Sequence, residues 1–348
     1  MSGVPQGTVL GPILFLIYIN DLEECITKSM LSCFADDSRI KNKISGTEDV
    51  DALQTDLREV EKWSVENNMS LHDEKFELVC HSTQRPNLIS ELPFHQQFFQ
   101  YKTEKGVEIE KQAKVKDLGV IVSSDNSWTP QITSMAENAR KMSAWTLSVF
   151  RDRSETTMTT LYKSMIRSRL EYCSALWNPS KITDIQTLEN IQRSFTSKIE
   201  SCRDLNYYQR LSKLKLMSLQ RRRERYQIIH MYKVLHNISP NDLNIKFHYC
   251  DRRGIQAAVP PLHRGASSKA QQQYDASFAV MGPKLWNTIP KSTTHQPTLE
   301  RFKSSLQKFL DATPDEPPTR GYTTAHGNSL LHWRQHDGGL RGAARWPR

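Results

Sequence analysis

Apolar residues recur along the chain at two periods. Val50, Leu53, Leu57, Val60 and Trp63 or Val65 fall at three- and four-residue steps, which predicts one amphipathic helix whose charged face meets solvent. Ser45 with Glu48 reads as its capping box, and Asn67-Asn68 as its end. Residues 13–22 are apolar nearly all round, with Pro12 suited to a first helical turn, so a buried helix is expected there. Short runs at 30–35 and 38–40 flank Asp36-Asp37, the pattern of a strand, an acidic turn and a return strand. Phe76, Leu78 and Cys80 alternate like a strand within 69–81; residues 107–109 and 116–122 read as further strands. Residues 82–106, with an aromatic cluster over 94–101, read as a loop or hairpin insertion.

From Pro130 onward the texture turns helical. Four stripes predict helices: Ile132, Met135, Ala139 and Met142; Met158, Leu161, Met165 and on to Leu170; Ile182, Ile185, Leu188, Ile191 and Phe195; and Leu219, Tyr226, Ile229, Tyr232 and Leu235. Residues 238–280 are polar and irregular, with Gln271-Gln272-Gln273 their least complex stretch, and 299–310 read as a short amphipathic helix. Past Asp311, prolines and glycines predict a disordered tail. Strands first and helices after make an α+β chain.

Composition sharpens this in three ways. The chain of 348 residues has room for more than one domain, and its 37% hydrophobic content and mean hydropathy of −0.60 are low for one compact globule. A net charge of +9 and a pI near 9.2 suit a nucleic-acid partner. The six cysteines form no Cys-x-x-Cys pair, so no zinc knuckle is predicted and reduced intracellular thiols are expected. The longest apolar run, 13–19, is too short to cross a bilayer, and no membrane partner is expected.

The chemistry concentrates at Asp36-Asp37. Two carboxylates this close repel unless cations lie between them, and such oxygen donors suit Mg2+. Paired magnesium ions suit in-line attack on phosphate. Taken alone, Asp-Asp in a turn is more often a solvated turn.

The neighbourhood favours the metal reading. Residues 2–22, Ser-Gly-Val-Pro-Gln-Gly-Thr-Val-Leu-Gly-Pro-Ile-Leu-Phe-Leu-Ile-Tyr-Ile-Asn-Asp-Leu, and the box Phe34-Ala35-Asp36-Asp37 together resemble, in order and spacing, linked motifs of the reverse transcriptases of non-LTR, LINE-type retrotransposons. The resemblance implies that Asp36 and Asp37 bind magnesium, two ions in the complete enzyme. It implies that Pro5, Gln6 and Gly7, with Phe34 and Ala35, face nucleotide and template, so that Gln6 shares a cleft with the two aspartates. Lys75, in Leu71-His72-Asp73-Glu74-Lys75, matches a lysine near the leaving pyrophosphate. Leu118-Gly119 matches the hairpin that grips the primer end. Arg221, Arg222, Arg223 and Arg225 form the densest basic run, which is either a solvated helix face or, in a polymerase thumb, a track for duplex phosphates.

The resemblance thus implies a partial palm over 1–122, an antiparallel sheet with packed helices. A helical thumb-like region would follow over 123–237, a C-terminal region with a short helix over 238–310 and the tail over 311–348. The implied reaction is RNA-templated addition of deoxynucleoside triphosphates to a DNA primer, RNA-directed DNA polymerisation. In the family a further catalytic aspartate lies upstream of the segment matching 2–22. The expectation is therefore an incomplete centre, with a non-catalytic nucleic-acid-binding remnant of a decayed element as the alternative.

Overall fold

Pro12 sits in the first turn of α1 (Gly11–Ile19), where its missing N–H costs nothing. The computed structural model describes residues 7–81, 100–179, 181–262, 265–266, 268–319 and 328–333. Their contacts define two units, one of residues up to 115 plus 123–125, the other of 116–122 plus 126 onward.

In the first unit, α1 runs into a 3-10 turn (Asn20–Cys25), then β1 (Met30–Phe34), β2 (Asp37–Lys41) and α2 (Thr47–Glu66). Ile19, Leu22, Val60 and Trp63 form its core, with Leu31, Ile40, Met69 and Leu71 packed against them. The cap of α2 differs from the expected Ser45–Glu48 box. The Asp49 carboxylate accepts from the Ser45 and Gly46 amides, at 2.7 and 3.2 Å, one residue further along.

The expected burial of α1 does not hold. Ile13, Leu14, Leu16 and Ile17 are between 47 and 68% exposed, because the described core covers one side of a helix that is apolar on every side. The strands expected within 69–81 and at 107–109 shrink to single bridges, Leu78 with Lys111 and Lys102 with Glu108. Side chains of α2 hold the second segment instead. Gln54 binds both the N–H and the C=O of Lys102, and Glu61 accepts from the Glu104 amide. Most of the expected aromatic cluster over 94–101 lies outside the described residues.

The second unit opens with a hairpin from β3 (Lys114–Asp117), whose first residues count with the other unit, to β4 (Val120–Ser123). Helix α3 (Thr129–Val149) follows. Then α4 (Glu155–Leu161) passes through a π-helical turn (Tyr162–Arg167) into α5 (Ser168–Glu171). Its inward residues are Met158, Tyr162, Ile166 and Leu170, all at most 1% exposed, so the stripe drawn through Leu161 and Met165 is corrected by one residue. Their spacing of four explains the π turn. An α-helix advances about 100° per residue, so each step of four drifts about 40° unless the helix is locally underwound.

Next come α6 (Ile182–Thr196), α7 (Tyr207–Lys213) and α8 (Leu219–Leu235). A core from Val120 to Leu219 unites these helices, and a second spans Ile228 to Leu330. The second core joins α8 to β5 (Phe247–Cys250), β6 (Gly254–Ala257), α9 (Ser268–Ala276), α10 (Phe278–Trp286), α11 (Lys291–Thr294), α12 (Leu299–Asp311) and α13 (Leu330–Trp333). The boundary expected at 237 therefore falls at the edge of a helix that belongs to a continuing core. The Gln271–Gln273 stretch is helical rather than irregular. Residues 311–319 and 328–333 are packed, with Asn328 and Leu330 buried, which corrects the tail expectation for those residues.

The described strands make three separate two-stranded sheets, so the described residues are a mixture of helices and small sheets, consistent with α+β. No helix among the described residues is long and apolar enough to cross a membrane.

Candidate active site

A two-residue turn brings the carboxylates together. β1 and β2 are antiparallel, with Phe34 opposite Asp37, Cys33 opposite Ser38 and Leu31 opposite Ile40. Ala35 and Asp36 are the turn. Ala35 has φ 51°, a left-handed conformation uncommon for a residue with a Cβ and concentrated at functional turns. Strand alternation places Leu31 and Ile40 on the core face. Asp37 lies on the opposite face with Phe34, Ser32 and Arg39. Both aspartates are exposed, and among the described residues no hydrogen bond or ion pair engages either carboxylate.

The start of β1 is fixed by a carboxylate that the sequence reading placed on a solvent face. Asp56 of α2 is 1% exposed and accepts from the amides of Thr27 (3.0 Å), Lys28 (3.2 Å) and Ser29 (2.7 Å) and from the Thr27 hydroxyl (3.2 Å). Burial pushes its pKa up, but these bonds outweigh burial and hold it below the ordinary carboxylate value. The signal was present in the sequence as a polar Thr27-Lys28-Ser29 turn whose N–H groups need an acceptor. Asp21 is engaged elsewhere, accepting from the Trp63 indole at 3.1 Å.

The other expected site residues fall on separate elements. Pro5 and Gln6 lie outside the described residues, so the expected approach of Gln6 to the aspartates does too. Gly7 is exposed at φ 85° with open space where a Cβ would stand, so its value is the backbone angle. Lys75 is exposed on a short 3-10 turn (Asp73–Lys75), and no hydrogen bond or ion pair joins it to Asp36 or Asp37. Leu118 and Gly119 form the β3–β4 turn at φ 44° and 82°, the double left-handed geometry of tight hairpins. Tyr172 donates to the Leu118 carbonyl at 2.8 Å.

The arginine run is corrected most sharply. Arg221 and Arg223 are 0 and 1% exposed, so neither offers a guanidinium to an external phosphate. Arg221 donates to the carbonyls of Pro314 and Asn328, and Arg223 lies over the Trp177 ring and bonds Asn178. Arg222 is held two-pronged by Glu171 and is mostly buried. Arg225 is half-buried, and burial lowers its pKa. Position 221 to 225 lies in the first turns of α8, which both cores enclose, so the run is internal by topology.

As oxygen donors, Asp36 and Asp37 fit magnesium. Among the described residues no third carboxylate, histidine or cysteine joins them, so the pair fits as part of a metal site.

Comparison with known proteins places this hairpin. Residues 1–122 match the family described as reverse transcriptase (RNA-dependent DNA polymerase). The chain is 25% identical over 213 residues to a probable RNA-directed DNA polymerase from transposon X-element of Drosophila melanogaster, covering 58% of this chain and 22% of that protein. It is 27% identical over 210 residues to the RNA-directed DNA polymerase from mobile element jockey of Drosophila funebris, covering 57% of this chain and 22% of that protein. The chain thus spans about a fifth of the length of these curated relatives. No solved structure matches significantly. The segment that carries Asp36 and Asp37 thus matches the reverse transcriptase family, and the chain around it is similar to RNA-directed DNA polymerases of mobile elements.

Proposed function

We propose that this chain carries part of an RNA-directed DNA polymerase centre, with Asp36 and Asp37 as the magnesium ligands. The observation that supports it is the β1–β2 turn. It presents two consecutive, unengaged carboxylates on a rigidly anchored hairpin within the segment matched to the reverse transcriptase family. Magnesium held there supplies Lewis-acid chemistry at a primer 3′ hydroxyl and a leaving pyrophosphate. The chain's own residues supply placement. Asp56 fixes where β1 begins, and Leu31 and Ile40 fix which face turns outward. Ala35 sets the angle at which Asp36 leaves the strand. Phe34 and Gly7 flank the nucleotide in this reading, and Pro5 and Gln6 complete that loop. Lys75 is the proton donor or charge stabiliser at the pyrophosphate in this reading. The partners are an RNA template, a DNA primer and deoxynucleoside triphosphates.

The two-carboxylate set favours a second reading, nucleic-acid binding without catalysis, for this chain by itself. Two metals about 3.5–4 Å apart need carboxylates on both sides, and alignment of the hydroxyl supplies much of the rate. Primer extension on an RNA template with magnesium or manganese separates the readings. The chain alone is expected to give no extension above background, and to support extension once a polypeptide carrying a further carboxylate of the family's centre is added. Extension by the chain alone that vanishes in Asp36→Ala would instead show that its own residues complete the centre. Hybrid binding with no extension under any complementation would leave the binding reading standing.

A further inference from the structure

The β3–β4 turn has a neighbour in the helical unit. A surface cavity of about 490 Å³ in the helical unit is lined by Ser164, Met165, Ser168, Arg169 and Tyr172. Its Tyr172 wall is also the support of the turn. The hydroxyl donates to the Leu118 carbonyl, and a Cβ added at Gly119 would lie 3.4 Å from the tyrosine ring. Cavity and turn are therefore parts of one surface.

Its chemistry is that of a site for an anion. No acidic side chain lines it. Arg169 spends only Nε on the protein, donating to the Met165 carbonyl at 3.1 Å, and its two Nη groups have no protein partner among the described residues. Ser164 and Ser168 stand one helical turn apart. Their hydroxyls donate back to the carbonyls of Thr160 and Ser164, at 2.9 and 2.6 Å. A hydroxyl rotates about its C–O bond, so an exposed serine can turn its proton from the back-bond to an incoming oxygen. The floor is the π-helical turn, a geometry rare in general and frequent at functional sites. That turn is held from within by Tyr162, whose buried hydroxyl donates to Gln192 at 2.5 Å.

We propose that this cavity seats a backbone phosphate of the nucleic-acid strand that runs past the Leu118–Gly119 turn. Arg169 would be the charged contact, Ser164 and Ser168 the hydroxyl donors, and Tyr172 the positioning residue that sets the turn against the site. The inference rests on the polymerase reading and names a part of its nucleic-acid surface that the buried arginine run of α8 does not provide.

The test is fluorescence anisotropy of a labelled RNA–DNA hybrid titrated with the full chain at 50 and 200 mM salt. Each phosphate contact adds about 0.9 to the slope of log affinity against log salt. Arg169→Gln should therefore lose about 3- to 4-fold less affinity than the unaltered chain across that fourfold salt step. Ser168→Glu should weaken binding severalfold at 50 mM with an unchanged circular dichroism spectrum. Lys308→Gln, an equal charge change at an exposed position of α12, should leave both quantities unchanged. An unaltered slope in Arg169→Gln, or equal losses in Arg169→Gln and Lys308→Gln, would overturn the site while leaving the polymerase reading intact. Absence of hybrid binding by the unaltered chain at both salts would overturn both.

Discussion

At the scale of single residues, the least ordinary groups are buried charges rather than the exposed aspartates. Glu189 is fully buried; it accepts from the Tyr207 hydroxyl at 2.7 Å and the Gln220 amide at 2.8 Å. Burial pushes its pKa up to about 7, against the opposing pull of Arg223 and those two hydrogen bonds. A carboxyl raised in the folded state holds its proton where the unfolded chain has lost it. Its contribution to stability is therefore fully present below the ordinary glutamate pKa of about 4.3 and is lost as pH rises to about 7. Glu189→Gln should flatten the fall in melting temperature between pH 5 and pH 7.5. Differential scanning fluorimetry of both proteins across that range is the check, and an identical slope in the two would remove Glu189 as the cause. Asp36 and Asp37 stand apart from this economy of buried charge. They are held in place by backbone geometry, and their carboxylates remain available.

At the scale of elements, the Asp36-Asp37 hairpin depends on α2 more than on its own ladder. A two-stranded ribbon is marginal in water without a partner face. Leu31 and Ile40 find that face on the core around Val60 and Trp63, and Asp56 ties the entry to β1. Asp56→Ala leaves three N–H groups without their charged acceptor. The expected cost is about 1–3 kcal/mol, with hydrogen exchange rising first across residues 27–41. Equal protection of that segment in the variant and the parent would show that packing alone holds the hairpin. The π turn between α4 and α5 is a second case in which an element obeys its neighbours. The helix unwinds where keeping Tyr162, Ile166 and Leu170 inward demands it.

At the scale of the molecule, the C-terminal segment closes the helical unit. Asp315 accepts from both the amide and the hydroxyl of Ser218 at 2.7 Å, at the N-terminus of α8, where a carboxylate is favoured. Asn328 adds bonds to Asp315 and Ser218, and the Leu330 amide donates to Glu224. Arg221 reaches two carbonyls of the same segment. Contacts about a hundred residues apart in sequence thus meet at one helix start. Asp315→Ala is expected to destabilise the unit by about 1–3 kcal/mol through the unmet Ser218 and Asn328 donors. It should also make α13 the first site of proteolysis. Chemical denaturation and limited proteolysis test this, and unchanged values in both would mean that the apolar core around Leu330 suffices.

What the sequence determined by itself is local. The hairpin around Asp36-Asp37, the tight Leu118–Gly119 turn and the existence of α2, α3, α6, α8 and α12 are legible in it. Turn chemistry and apolar period act over a few residues, and the motifs that carry the family lie within about forty. What only the tertiary structure decided is which face of each element meets another. The Arg221–Arg225 run, the Asp56 carboxylate and the Asp315 clasp all look like surface charge along the chain. Partners far away in sequence bury them and supply part of their hydrogen bonding, although Arg221, Arg223 and Arg225 each keep a guanidinium N–H with no partner among the described residues. The apolar α1 shows the reverse, since its pattern predicts burial and the described core covers only one of its sides. A charge becomes internal, or a leucine external, according to neighbours that no local period encodes.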